Sequence, residues 1–185
     1  MYFQTKKDKE KEISMKDSNF KLRWEQMQEI DLQKIDHIGN KIHTQLPERP
    51  EVFKEKFLLF PAGCKKLIYE TNIIGYGISH PWLLNSIPKL DSFLVSLPRN
   101  PECLFIHDVV VLPNYRGHNT SSDYVECMRR IASSLGLHAL SLVSVYGTTS
   151  LWSRYGFEEI FIPDLHEKLI SYGESARYMV SKYDN

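Results

Sequence analysis

The chain has 185 residues, enough for one compact α/β domain that buries roughly 70% of the surface its unfolded chain would expose. Its 23 basic and 23 acidic residues give a formal net charge of +0, so the charge balance does not favour a nucleic acid or an anionic membrane as a partner. Any anion site must therefore be local.

The cysteines and the hydropathy pattern indicate which kinds of site and which cellular setting to expect. Cys64, Cys103 and Cys127 are far apart and show no metal-type spacing with the seven histidines, so we expect no metal site and a reduced, cytoplasmic setting. The apolar runs have strand length, and no apolar segment of the secretory type follows the N-terminus, so we expect neither a membrane span nor a signal. A monomer and a homodimer both remain open.

The N-terminal segment differs in composition from the rest of the chain. Residues 1–18 include the run KKDKEKE and few large apolar side chains, so they cannot bury enough surface to offset the entropy of ordering. We expect a solvated tail there, with a docking arm as the alternative. Residues 19–185 are predicted to form a single domain.

This domain is predicted to open with a strand and two helices. Apolar and basic residues alternate over residues 20–24, which indicates a half-buried strand. Apolar residues then recur near helical spacing over residues 30–42 and again over residues 52–58, where Pro61 ends the second helix.

Two strands follow, over residues 66–71 and 73–80, joined by a tight turn near Asn72. Residues 81–101 contain four of the nine prolines and one apolar cluster around residues 93–97. We predict a long excursion with a short helix, placed where a loop can shape a substrate site.

The second half of the chain alternates between strands and helices. The predicted elements are a buried strand over residues 104–111, a helix over residues 121–135, a buried strand over residues 139–145, a short helix over residues 149–155, and strands over residues 157–162 and 177–183.

An anion site is predicted where the strand over residues 104–111 gives way to the following helix. The strand ends at Pro113, and a tight loop leads directly into the helix. Free backbone N–H groups and a macrodipole of roughly half a positive charge favour phosphate at a helix start. Arg116 is placed to add a charge-assisted hydrogen bond.

This loop resembles the cofactor loop of the GNAT acyltransferase superfamily, which has the pattern Arg/Gln-x-x-Gly-x-Gly/Ala after the fourth strand. Arg116, Gly117 and His118 match its opening, while Asn119 and Ser121 stand where the family has small glycines. Asn is the residue other than glycine that best tolerates a left-handed backbone, and Ser is small with a hydroxyl that can donate. We therefore expect coenzyme A binding to survive.

A second match lies downstream, at LVSVYGTTSLWSRYGF over residues 142–157. It is similar to the family segment in which a strand splays from its neighbour, a short helix follows, and an aromatic residue before x-x-x-Gly-Phe lies near the thioester. Here that aromatic residue is Trp152. In many family members it is a tyrosine that protonates the departing thiolate, which indole cannot do. Tyr146 and Tyr155 are the candidate replacements, and Tyr146 is the catalytic candidate that we name. The alternatives are that Tyr146 packs beside the buried strand, and that the thiolate, with a thiol pKa of about 8.5, leaves without an acid.

His107 is the candidate general base. It lies nine positions before Arg116, an arrangement similar to that of arylalkylamine N-acyltransferases, where a strand histidine assists amine deprotonation. A hydrogen-bonded structural histidine is the alternative. Strand alternation puts His107 and Asp108 on opposite faces, so we expect no dyad between them, and we expect Asp108 to cap backbone amides.

His80 and Trp82 close a strand and are candidates to border the acceptor pocket, with a turn held by Pro81 as the alternative. The resemblance also implies the residues that hold the cofactor. The predicted cofactor-binding residues are Val109, Val110, Val111, Arg116, Gly117, His118, Asn119, Thr120, Ser121, Ser122 and Trp152.

The resemblance predicts the GNAT fold within the α/β class, a mixed, mostly antiparallel, twisted sheet flanked by helices. Acetyl-CoA is expected in the V between the fourth and fifth strands, as a co-substrate attacked directly by a primary amine. A small-molecule amine is favoured by the spacing of His107. The alternatives are a peptide or protein N-acetyltransferase, and a non-catalytic acyl-CoA-binding regulatory protein.

Overall fold

A computed structural model describes residues 21–183 of the chain. The predicted tail over residues 1–18 lies outside the described residues, so its boundary with the domain stays a prediction. The strands are β1 (Leu22–Gln26), β2 (Lys65–Tyr69), β3 (Asn72–Trp82), β4 (Cys103–Val111), β5 (Ala139–Ser144), β6 (Glu158–Glu159) and β7 (Arg177–Lys182). The α-helices are α1 (Leu32–Ile42), α2 (Pro50–Leu59), α3 (Thr120–Ser134), α4 (Thr149–Ser153) and α5 (His166–Ile170).

The seven strands form one sheet in the order β1-β2-β3-β4-β5-β7-β6. Every pair of neighbours is antiparallel except β4 and β5, which are parallel. This is the mixed, mostly antiparallel sheet that was predicted.

Three elements differ from the prediction. The last edge strand, β6, spans two residues instead of residues 157–162, because only Ile160 continues the pairing, through one N–H bond to Tyr178. Residues 83–102 form turns and no helix, since the segment is held from outside: Glu55 accepts the backbone N–H groups of Leu94 and Val95. Helix α5 was not predicted.

The V-shaped opening between β4 and β5 is confirmed. The two strands pair only from Leu104 with Leu140 to Ile106 with Leu142, whereas β4 continues to Val111 and β5 to Ser144. Beyond the last pair the strands diverge, and the edge of β4 that faces β5 has no strand partner there.

Helix α3 packs on one face of the sheet. Contacts made by its Tyr124 hold the start of the helix beside this opening. The ring of Tyr124 lies directly on Gly77, where a Cβ atom would come within 2.2 Å of the ring. The Tyr124 hydroxyl donates to the carbonyl of Gly63 at 2.9 Å and bonds the Ser79 hydroxyl at 2.7 Å. A side chain on Gly77 would therefore displace the helix that carries the predicted anion loop.

Strand β4 contains a bulge at His107. Its register with β3 shifts between Ile78, which pairs with Asp108, and Ser79, which pairs with Ile106. His107 is thus the extra residue of β4, and a bulge interrupts the alternation of side chains between the two faces.

Because of the bulge, the side chains of His107 and Asp108 point in directions that differ from the prediction. His107 and Asp108 were predicted on opposite faces, yet both side chains reach α1 and the loop that follows it. His107 contacts Glu48 in that loop, and Asp108 contacts His43 at the end of α1. The prediction failed because strict alternation assumes an unbroken ladder.

Candidate active site

A cavity of about 860 Å³ lies where β4 and β5 diverge. It extends from the loop before α3, along the open edge of β4, to the end of α1. The predicted site residues that line it are His107, Val109, Val110, Val111, Arg116, Gly117, Asn119, Thr120, Ser121, Ser122, Tyr146 and Trp152. His80, Trp82 and His118 are outside this lining.

The loop before α3 has the left-handed backbone that the sequence predicted. Gly117 has φ of 85°, and Asn119, the N-cap of α3, has φ of 58° and ψ of 11°. The Asn119 side chain makes no capping hydrogen bond. Asparagine is therefore used at this position for its tolerance of positive φ, which also explains why a glycine suits the same position.

The first turn of α3 lines the cavity with Thr120, Ser121 and Ser122. The first helical hydrogen bond runs from the Asp123 N–H to the Asn119 carbonyl at 3.1 Å. The N–H groups of Thr120, Ser121 and Ser122 precede it and have no helical partner. Together with the positive end of the macrodipole, they make this wall of the cavity suited to an anion.

Two side chains secure the anion loop to the sheet. Arg116 donates from Nε to the Val111 carbonyl at 2.9 Å, which keeps its guanidinium at the mouth of the cavity. Trp24 of β1 donates from Nε1 to the Thr120 carbonyl at 2.8 Å. His118 is exposed on the outer side of the loop.

His107 belongs to a buried ionic cluster. Its side chain is 2% exposed, its Nε2 lies 2.8 Å from Glu48 Oε2, and its buried Nδ1 has no hydrogen-bond partner among residues 21–183. The Lys56 ammonium, itself fully buried, lies 3.9 Å from the other Glu48 oxygen. Burial opposes ionisation of Glu48, but attraction to His107 and Lys56 and hydrogen bonds from His107 and the Asp91 backbone lower its pKa to about 2.

The two predicted acceptor-side residues pack beneath this cluster. His80 is 0% exposed, and its ring centroid lies 6.0 Å from that of His107 and 5.3 Å from that of Trp82. Burial, followed by repulsion from His107, lowers the pKa of His80 to about 3. The cavity wall next to them is formed by His107, which separates them from the space a ligand can enter.

A second histidine, which the sequence did not single out, faces the cavity. His43 caps the C-terminal end of α1, and its Nε2 donates to Asp108 Oδ1 at 3.0 Å. The Tyr76 hydroxyl donates to the other carboxylate oxygen at 2.6 Å. Asp108 was expected to cap backbone amides, but both of these hydrogen bonds come from side chains. Burial lowers the pKa of His43, and the charge and hydrogen bond of Asp108 together with the charge of Glu48 outweigh it, so the pKa is raised.

Tyr146 closes the opposite wall. It has a positive φ of 54°, is 44% exposed, and stacks on His43 with a hydroxyl to Nδ1 distance of 3.4 Å. Trp152 is 9% exposed and donates from Nε1 to the Thr148 hydroxyl at 3.2 Å. The tyrosine therefore has its hydroxyl in the cavity, while the tryptophan presents ring surface.

Within residues 21–183, no helix is long and apolar enough to cross a bilayer, and no group of three or more His, Cys, Asp or Glu side chains is arranged to hold a metal ion.

No protein-family model matches the sequence, and no curated protein matches it significantly. Solved structures do match. The loading GNATL domain of CurA from Lyngbya majuscula has a TM-score of 0.69 at 13% identity, over 88% of this chain and 97% of that one. The chain has the GNAT fold.

Two further structures with the GNAT fold were solved with ligands. Arabidopsis thaliana Naa50, in complex with the bisubstrate analogue CoA-Ac-MVNAL, has a TM-score of 0.63 at 14% identity, over 88% of this chain and 99% of that one. N-acetylglutamate synthase from Neisseria gonorrhoeae, complexed with coenzyme A and N-acetyl-glutamate, has a TM-score of 0.67 at 14% identity, over 91% of this chain and 36% of that one.

The GNAT fold accounts for the placement of the anion loop and the open β4 edge, both of which the sequence motifs predicted. It does not by itself account for His43 or Glu48. Each meets its β4 partner across a long separation in sequence, 65 positions for His43 and Asp108 and 59 for Glu48 and His107. No local pattern marks such contacts.

Proposed function

We propose that the protein transfers an acetyl group from acetyl-CoA to a primary amine by direct attack of the amine on the thioester. One observation carries this proposal: a single cavity joins backbone N–H groups suited to a pyrophosphate with a carboxylate–imidazole pair suited to an amine, across a sheet opened between β4 and β5. Acetyl-CoA supplies the activated acyl group.

We assign the cofactor to the wall between the anion loop and β4. The N–H groups of Asn119 to Ser122 and the Arg116 guanidinium bind the pyrophosphate. The backbone edge at Val109 to Val111 accepts the amide-containing pantetheine arm, as a strand edge accepts a peptide. Within this edge the Val111 carbonyl is already bonded to Arg116. Trp152 lies next to the acyl end.

A small primary amine with an apolar body is our first choice of acceptor. Asp108 supplies negative charge for an ammonium group, while the nearby walls include Leu46, Leu90, Val143 and Tyr172. Peptide amines remain the competing class, since a protein of this fold has been solved with the bisubstrate analogue CoA-Ac-MVNAL.

Direct transfer is favoured over an acyl-cysteine intermediate. Burial raises the pKa of Cys64 to about 12 and that of Cys103 to about 11, so neither thiol is a ready nucleophile near neutral pH. Reduced, buried thiols also suit the cytoplasmic setting that we propose.

The test measures binding and transfer separately. Coenzyme A binding is measured by titration calorimetry, and transfer by the release of free thiol from acetyl-CoA with alkylamines, arylalkylamines, amino acids and short peptides. Arg116→Ala combined with Ser121→Leu should weaken coenzyme A binding about tenfold or more, because it removes a phosphate partner and blocks the helix start.

Ser134→Leu places the same side chain at the exposed far end of α3 and is the matched control. Equal coenzyme A affinity in the loop variant and the control would mean that the phosphates bind elsewhere. Binding without transfer to any acceptor would favour a non-catalytic acyl-CoA-binding protein.

A further inference from the structure

We propose that His43, rather than His107, takes the proton from the acceptor amine, with Asp108 as its positioning residue. This inference rests on the proposed function and names the base within that site. It is carried by the geometry of two histidines that approach β4 from the same side of the sheet.

His43 has one nitrogen committed and one available. Its side chain is 16% exposed in the cavity wall, and Nε2 donates to Asp108 at 3.0 Å. This bond fixes the tautomer of the neutral ring, so the lone pair resides on Nδ1. Nδ1 faces the Tyr146 hydroxyl at 3.4 Å, a long contact that an entering amine can replace.

His107 has no such available nitrogen. Its Nε2 is engaged by Glu48 at 2.8 Å, and its Nδ1 is buried with no hydrogen-bond partner and no access to solvent. Only 2% of its side chain is exposed, so neither ring nitrogen is open to an entering amine. A base must come within hydrogen-bonding reach of the proton it removes, and of these two histidines His43 is the one whose second nitrogen has a long, replaceable contact in the cavity wall.

The groups around His43 favour its protonated form as the reaction requires. Asp108 on β4 and Glu48 after α1 both attract the imidazolium, Tyr76 on β3 holds Asp108 in place, and Tyr146 after β5 stacks on the ring. Burial lowers the pKa of His43, but the charges of Asp108 and Glu48 and the hydrogen bond to Asp108 outweigh it and raise the pKa above its ordinary value of 6.5. The higher pKa makes His43 a stronger proton acceptor for an alkylammonium.

The proton and electron balance is simple. One proton of the ammonium passes to His43 Nδ1, and the lone pair so freed forms the new N–C bond with the acetyl carbon. The C–S bond breaks with its electron pair going to sulfur, and a second nitrogen proton neutralises the thiolate. His43 then returns its proton to solvent.

The first experiment compares His43→Gln with His37→Gln, the same substitution at an exposed position of the same helix. Glutamine keeps an N–H donor for Asp108 but has no basic atom. We expect kcat to fall about 10²-fold or more in the first variant and to stay unchanged in the second. Coenzyme A affinity should be unchanged in both. Imidazole added to His43→Ala should restore part of the lost rate.

The second experiment follows pH. An arylamine that stays uncharged is used as acceptor, so that its own protonation does not affect the rate. The wild-type rate should fall as pH drops through the pKa of His43, and this acidic limb of the pH–rate profile should be absent in His43→Gln. Asp108→Asn should move the limb to lower pH, because it removes the charge that raises the pKa. The same displacement should appear in the NMR titration of the His43 ring without acetyl-CoA, a readout independent of activity.

The outcomes separate the two proposals. If the wild type binds coenzyme A but acetylates no amine, the proposed function fails and the base assignment fails with it. If the wild type is active while His43→Gln keeps its rate within about twofold, or if the pH limb disappears in His107→Gln instead, only the base assignment is overturned.

Discussion

Glu48 Oε2 lies 2.8 Å from His107 Nε2, and this contact joins the loop after α1 to the bulge of β4. The other Glu48 oxygen accepts the Asp91 backbone N–H at 3.1 Å and lies 3.9 Å from the buried Lys56 ammonium. One carboxylate thus connects β4, α2 and the segment between β3 and β4, at the end of the cavity where we propose that the acceptor binds.

Glu48→Gln should therefore destabilise the protein strongly. It leaves Lys56 and His107 without their shared anion in a buried site, and breaking a buried ion pair costs about 3–5 kcal/mol. Glu29→Gln removes a surface carboxylate that is 59% exposed and pairs with Lys54, so it should cost less than about 1 kcal/mol. Urea unfolding of both variants at pH 7 measures the difference, and equal costs would mean that the buried cluster contributes little.

Acid should reduce the stability difference between the wild type and Glu48→Gln. The pKa of Glu48 is about 2 in the folded protein and 4.5 in a model peptide, so its ionised form stabilises the fold fully above about pH 4.5. That contribution is lost as the pH falls towards 2. Unfolding measured at pH 7, 5 and 3.5 should show the gap closing, whereas Glu29→Gln should follow the wild type throughout. A gap that stays constant would contradict the depressed pKa.

His80 should make the fold sensitive to mild acid. Its pKa is about 3 when folded and 6.5 in the unfolded reference, so between these values the unfolded chain binds the extra proton and stability falls as pH drops. His43 contributes to the pH dependence of stability with the opposite sign: its pKa is raised on folding, so its protonation stabilises the folded protein as pH drops. Between pH 6.5 and pH 3, the wild type should lose up to about 1.4 kcal/mol of unfolding free energy per pH unit through His80, and His80→Phe should abolish this loss. His37→Phe is the exposed control, and an unchanged pH profile in His80→Phe would mean that another group is responsible.

Much of the fold was predictable because its signals are local. The apolar run of β4, its stop at Pro113 and the helical pattern of α3 lie within one continuous segment, and the structure contains each of them. The left-handed backbone at Asn119 agrees with the tolerance of asparagine for this region, which was noted from the sequence where the resembled loop has glycine. Such features follow from steric and solvation rules that act over a few residues.

The arrangement of the acceptor end was not predictable because it depends on the β4 bulge and on distant contacts. One extra residue at His107 brings Asp108 to the side of α1, where His43 can reach it. Strand alternation gives no warning of a bulge, and neither His43 nor Glu48 lies in a motif. The base was therefore assigned in sequence to His107, because of its spacing of nine positions before Arg116.

Gly77→Ala should destabilise the protein and weaken coenzyme A binding together. A Cβ atom at this position would come within 2.2 Å of the Tyr124 ring, so α3 must shift away from the sheet and take the anion loop with it. We expect a loss of about 1–3 kcal/mol in the free energy of unfolding. Tyr124→Phe keeps the ring but loses its bonds to Gly63 and Ser79, so it should lower stability with a smaller effect on coenzyme A affinity. Full coenzyme A affinity in Gly77→Ala would show that the loop is positioned independently of this contact.

The conformation of Asn119 gives the sharpest test of the anion loop. Because its side chain makes no capping bond, Asn119→Gly loses nothing and should keep both stability and coenzyme A affinity. Asn119→Val forces a β-branched residue to φ near 58°, at a cost of about 1–3 kcal/mol, and should weaken binding by releasing the N–H groups from their alignment. Asn114→Val, at an exposed position in the preceding turn, is the matched control. Thermal unfolding and coenzyme A titration of the three variants decide the point: if Asn119→Val binds as tightly as Asn119→Gly, the left-handed backbone is not what presents the helix start to the phosphates.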